Sequence, residues 1–196
     1  MQNWNPTAFS VSQRQANMKS ALLIIDVQHD LFEGSRRPFE ADAVIERINT
    51  LTAKARAAGA PVVFVQHEEA DSPLEYNSPG WQLQHGLQVK DSDTRLRKKT
   101  SDSFLRTELR ELLTAWQVDH LVICGYASEF CVDTTVRSAA AQGYPVTLVS
   151  DAHTTHDKPH ASGQQIRIHE NATLPNVDSF GVKITAVATA EVDFAA

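Results

Sequence analysis

Cysteine is scarce in this chain, with two among 196 residues, Cys124 and Cys131. Two thiols cannot build a disulfide framework, and a reducing compartment is the simpler setting for them. Positive charge is also short. The formal net charge is −6, and the one dense run of cations is Arg95 to Lys99, so a nucleic-acid groove is excluded. No stretch reaches the roughly 18 consecutive apolar residues of a membrane span. The first residues are polar and lack the apolar centre of a signal peptide, which points to a cytoplasmic protein. Internal repeats and low-complexity tracts are absent too. A chain of this length suits one core that buries about 70% of its unfolded surface. The expected division is an N-terminal arm over residues 1–18 and a single domain over 19–196.

What is present is an alternation of apolar runs and helical periodicities. Residues 21–26, 61–65, 121–124 and 145–150 read as buried parallel strands. Residues 95–98 and 181–187 read as two more. Between them, Val44, Ile48, Leu51, Ala55 and Ala58 mark a helix over 39–59. Leu105, Leu109, Leu112, Leu113 and Trp116 predict another over 104–116, capped by Ser101 or Asp102. A helix opened by Cys131 carries Val132, Val136, Ala139 and Ala140 and stops at Gly143, and a polar helix follows near 164–171. The fold class is therefore α/β: about six mostly parallel strands in a three-layer, doubly wound sheet with helices on both faces. The Pro- and Gly-bearing stretch from Gln66 to Val89 matches neither period. A loop of this length after a strand is expected to roof a pocket.

In such a sheet, ligands bind beyond the carboxyl ends of the strands. Cys131 follows a strand and begins a helix, where amide N–H groups and the helix dipole favour a thiolate and can receive an oxyanion. A small, inert, half-buried cysteine is the bland alternative. Asp26 closes the first apolar run at the same edge, where an aspartate commonly caps a helix or forms a turn. Lys98 and Lys99 stand side by side. If they lie on a strand, alternation lets only one face a pocket. Adjacent lysines are more often a solvated edge.

Gly125, Ser128, Cys131, Val132, Thr135, Ala139, Gly143, Tyr144, Val146, Asp151 and Ala152, with Asp26–Gln28 as DVQ and a lysine ahead of Phe104, resemble the isochorismatase-like cysteine hydrolases. That superfamily includes nicotinamidases and N-carbamoylsarcosine amidase. The resemblance implies a catalytic set of Asp26, Lys98 and Cys131, with Lys98 preferred to Lys99 by its spacing to the phenylalanine. It also implies a cis peptide between Tyr126 and Ala127 that aims the Ala127 N–H, beside that of Cys131, at an oxyanion. Ser128 stands where the family usually has threonine, which keeps the hydroxyl. The reaction so implied is attack of the Cys131 thiolate on a small amide or carbamoyl compound, through a thioester, with Asp26 as the base. Homodimers or higher homo-oligomers are implied as well. Gln28, Phe32, His67, Trp81, Glu129 and Phe130 are the candidate substrate contacts. The Asp-x-His pair of the metal-binding nicotinamidases is missing after the second strand, where the residues are Gln66, His67, Glu68 and Glu69, so neither metal nor cofactor is expected. His153, His156, Asp157 and His160 form a superficial ligand pattern, read instead as loop residues. Two other functions remain open at this level: a vinyl-ether hydrolase of the isochorismatase type, and a redox-responsive thiol protein.

Overall fold

A computed structural model of the chain describes residues 19–34 and 36–194. The expected arm over 1–18 lies outside the described residues.

Six strands form one sheet: β1 (Ser20–Ile25), β2 (Val62–His67), β3 (Thr94–Lys98), β4 (His120–Tyr126), β5 (Val146–Thr154) and β6 (Ile184–Val187). Their order is β3-β2-β1-β4-β5-β6, and every pairing is parallel. This is the doubly wound order in which the direction of winding reverses between the first and fourth strands. In sheets of this order, ligands bind at that reversal, here beyond the carboxyl ends of β1 and β4. The expected α/β architecture is the one found.

The cause is visible in β1, where all six residues are buried because both faces are covered. Ala21, Leu23 and Ile25 face one core with Leu109 and Leu113 of α3 (Leu109–Ala115) and Val136, Ala139 and Ala140 of α4 (Asp133–Ala141). Leu22 and Ile24 face the other, with Val44, Ile48, Leu51 and Ala55 of α2 (Ala41–Ala57). α1 is a single turn, His29–Phe32, and α5 (Gly163–Thr173) starts with a capping box between Ser162 and Gln165.

Three elements differ from the sequence reading. The helix expected over 104–116 is helical from Leu109 only. Arg106 takes a left-handed φ of 59°, and Leu105 is solvent-exposed, so the first turn unwinds despite its apolar spacing. Asp102 does receive the Phe104 N–H at 2.8 Å, but its other oxygen takes the Ser138 hydroxyl and draws this segment onto α4. β5 runs past residue 150 to Thr154. β6 begins at Ile184, after Gly181 turns the chain at φ 76°.

The segment between β2 and β3 contains no helix or strand, as its composition predicts. It is nonetheless fixed to the stretch after β1. The Gln84 N–H donates to Val27 O, His29 N–H to Gln82 O and Asp30 N–H to Gly80 O, at 3.0, 2.8 and 3.0 Å.

Candidate active site

The crevice at the winding reversal needs β1 and β4 to approach closely, and Gly125 makes that possible. A Cβ there would lie 2.2 Å from the Ile25 carbonyl oxygen, and the φ of 117° is one that side-chain-bearing residues avoid. Just beyond Ile25, Asp26 adopts a left-handed φ of 51°, a conformation that aspartate tolerates better than most residues and that clusters at functional sites. Across the crevice the Tyr126–Ala127 peptide is cis. A single π-helical turn, Ser128–Val132, then runs into α4. Cys131 therefore lies inside a π turn three residues after its start, rather than at the first position of an α-helix; such turns recur at functional sites.

Lys98, the last residue of β3, joins these two ends. Its side chain is completely buried, and its ammonium donates to Asp26 Oδ2 at 2.7 Å, to Thr100 O at 3.1 Å and to Cys131 Sγ at 3.2 Å. Those three bonds use all three of its N–H donors. Lys99 points the opposite way, is 78% exposed and pairs with Glu68 at 3.3 Å. Strand alternation thus separates the two lysines.

The electrostatics of the cluster are coupled. Burial works to neutralise Lys98, but the charges of Asp26 and Cys131 outweigh it and hold the ammonium pKa above its ordinary value. The helix-start argument predicts a lowered thiol pKa for Cys131. Burial, and next the Asp26 carboxylate, instead push it up to about 12, against the opposing pull of Lys98. Asp26 Oδ1 is buried without a hydrogen-bond partner, an acceptor left open in the cluster. His67 Nδ1 lies 3.5 Å from the Lys98 ammonium, and burial followed by the Lys98 charge lowers its pKa.

The residues expected to contact substrate separate into two groups. Gln28 is fully committed: its amide donates to His67 O and Trp81 O, both at 2.9 Å, and its oxygen accepts the His67 N–H at 2.8 Å. It ties β1, β2 and the long loop together, which leaves no donor for a ligand. Phe32 is wholly buried and meets the Tyr126 ring edge-on at 6.0 Å, so it backs the site rather than lining it. Trp81 is nearly buried with its indole N–H unpartnered. Glu129 has one oxygen on the Thr155 hydroxyl at 3.0 Å and on Lys158 at 3.2 Å, and the other buried and unpartnered. Phe130 is 54% exposed beneath the Lys158 ammonium. Trp81 and Glu129 thus retain free polar capacity. Thr100, whose carbonyl completes the lysine's coordination, was not foreseen, because a backbone acceptor leaves no residue-type signal.

Of the histidines expected in a loop, His153 is placed otherwise, while His156 and His160 follow the strand in irregular chain as expected. His153 is in β5 and fully buried, and burial drives its pKa down to about 4. His156 lies just beyond the strand, against Tyr126. Among the described residues no group of three His, Cys, Asp or Glu side chains is placed to hold a metal ion. Nor, among them, is any helix long and apolar enough to cross a membrane.

Comparison with known proteins gives a consistent picture. The family model for the Isochorismatase domain matches residues 20–173. A streptothricin hydrolase from Streptomyces noursei is 38% identical over 159 residues, covering 81% of this chain and 61% of that protein. The chain thus spans about three fifths of that relative's length. A ureidoacrylate amidohydrolase from Klebsiella pneumoniae is 27% identical over 84% of this chain and 82% of its own length. A crystal structure of an isochorismatase family protein superimposes with a TM-score of 0.80 at 34% identity, covering 87% of this chain and 98% of that one.

Proposed function

The chain belongs to the isochorismatase family, and on that premise we propose that it is a cysteine hydrolase that cleaves the C–N bond of a small amide or carbamoyl compound. The observation that carries this reading is the placement of one buried ammonium against both a carboxylate and a thiol, 2.7 and 3.2 Å away, at the crevice where the sheet reverses its winding. Relatives named as hydrolases, one of them an amidohydrolase, support the reaction class.

In the proposed mechanism the proton leaves Cys131 as the sulfur attacks, in keeping with the upward shift that burial imposes on the thiol. Asp26 accepts it. Lys98, bonded to both, orients Asp26 and stabilises the sulfur as charge builds on it. The carbonyl oxygen becomes an oxyanion received by the Ala127 and Cys131 N–H groups. Collapse breaks the C–N bond, and the amine departs with the proton from Asp26. A water molecule, deprotonated by Asp26, then attacks the thioester; acid product leaves and the thiol is restored. General-base assistance of this kind is worth about 10²- to 10⁴-fold. Trp81 and Glu129, which hold a free donor and a free acceptor, are the side chains we assign to substrate recognition, with His67 at the lysine's flank.

We also assign the protein to a reducing cytoplasmic setting, in keeping with its two free thiols, and to a homo-oligomer that light scattering would size. The test of the main reading is ammonia release across a panel of carboxamides and ureido acids. Turnover of at least one class is expected. Pyruvate release from a vinyl-ether substrate, with no amide turned over, would replace the amidohydrolase by the other chemistry of the family.

A further inference from the structure

The carboxyl end of β5 meets the nucleophile turn through side chains as well as backbone. β4 and β5 pair regularly up to Ile123 with Leu148, but the next pairs are Gly125 with His153 and Tyr126 with Thr154. β5 has therefore spent five residues where β4 spends two, a wide bulge. The bulge carries His153, Thr155 and His156 to Ser128, Glu129 and Tyr126. The bonds are His153 Nδ1 to Ser128 Oγ at 2.8 Å, the Thr155 hydroxyl to Glu129 at 3.0 Å, and His156 Nδ1 to Tyr126 Oη at 2.9 Å.

The proton positions in two of these contacts follow by elimination. Asn171 Nδ2 donates to Ser150 O at 2.8 Å, and a carbonyl only accepts, so the Asn171 oxygen must be the atom facing His153 Nε2 at 2.9 Å. His153 Nε2 then carries the hydrogen. Its neutral ring leaves Nδ1 bare, and Ser128 donates to it. His156 Nε2 lies 3.0 Å from Arg36 O, again a pure acceptor, so Nε2 is protonated and Nδ1 faces the Tyr126 hydroxyl.

We propose that His153 and His156 are a pair of positioning residues, each with its hydrogen on Nε2 and a bare Nδ1, that draw the hydroxyl protons of Ser128 and Tyr126 to themselves and so clamp Ala127 from both sides. This inference rests on the hydrolase reading for its purpose, though not for its geometry. Ala127 begins the turn that bears Cys131, and a misplaced turn costs rate steeply, about 10²-fold for an ångström. His153 is suited to the task because burial keeps it neutral, so its acceptor survives well below neutral pH. Neither histidine needs to touch substrate.

Long-range nitrogen–proton correlation on the full chain at pH 7 reads the tautomers directly, with His153→Gln and His156→Gln assigning the signals. Both rings should show a protonated Nε2 and a bare Nδ1. A protonated Nδ1 or an imidazolium at either position overturns the clamp. The consequence for the turn is read by the rate at which iodoacetamide alkylates Cys131, followed by peptide mass. Ser128→Ala and His153→Phe should each change that rate several-fold, the double variant should change it no further, and His153→Gln, which keeps an acceptor and a donor, should restore it. Additive effects, or no effect of Ser128→Ala, would make the contacts merely structural. If His153→Phe does not fold, Ser128→Ala against His153→Gln carries the same comparison. None of these readouts requires turnover, so a clamp that passes in a protein that hydrolyses no amide would sink only the hydrolase reading.

Discussion

Two polar clusters meet at the π turn, and they are built on opposite terms. On one side lie Asp26, Lys98 and Cys131, with an ammonium short of no partner, a carboxylate oxygen that has none, and a thiol whose pKa burial pushes up. On the other lie Ser128 and His153, both buried, and half-buried Asn171, all neutral and bonded at every side-chain contact that joins them. The first cluster keeps capacity in reserve and the second keeps none. A buried group left unsatisfied is costly unless it is used, whereas a satisfied network is rigid. On the proposed reading, reactivity and support are divided between the β1–β3 side and the β5 side of a single turn.

That division can be broken in graded steps. Asp26→Asn should cut turnover by about 10²- to 10⁴-fold. The same change should speed alkylation of Cys131, because the carboxylate is among the groups that hold its thiol pKa up; slower alkylation would show that Asp26 acts otherwise. Lys98→Met strands a buried carboxylate and should lower the unfolding free energy in urea by about 3 kcal/mol or more. The supporting cluster should respond to pH instead. The unfolded chain protonates its histidine near 6.5 while folded His153 does so only near 4. Stability is therefore lost as pH falls through that window, by about 2 kcal/mol at pH 5, and is flat above it. His153→Gln should abolish that part of the slope in denaturation curves at pH 7 and pH 5. Lys99→Met should change stability by about 0.5 kcal/mol or less, since Lys99 itself is exposed and Glu68 keeps its Arg97 partner. Equal losses from Lys98→Met and Lys99→Met would erase the contrast between them.

Much of the reactive side is legible in the residues. An apolar run closed by Asp26, a strand ended by Gly125 before Cys131, and the two-residue period that sends Lys98 inward and Lys99 outward are local patterns with local causes. Their convergence follows from the parallel sheet, which brings every strand's carboxyl end to one edge. The supporting side is much less legible. The bulge that delivers His153 to Ser128 depends on how many residues β5 spends against β4, and no periodicity records a mismatch between strands. For that reason His153 reads as a loop residue, though it lies in β5. Leu105 keeps helical spacing, yet the helix begins only at Leu109, because Arg106 and the Asp102–Ser138 contact override propensity with tertiary geometry. The thiol pKa was read from the helix start alone; the burial and the carboxylate that reverse it come from other parts of the chain.

The claim at the centre is that the Cys131 sulfur forms the bond to substrate. The most direct test is turnover of Cys131→Ala on whichever amide the wild-type chain hydrolyses, with the melting midpoint taken on the same sample. Ammonia release at the level of buffer, from a variant that melts close to wild type, is the predicted result. Substantial ammonia release from that folded variant would contradict the account.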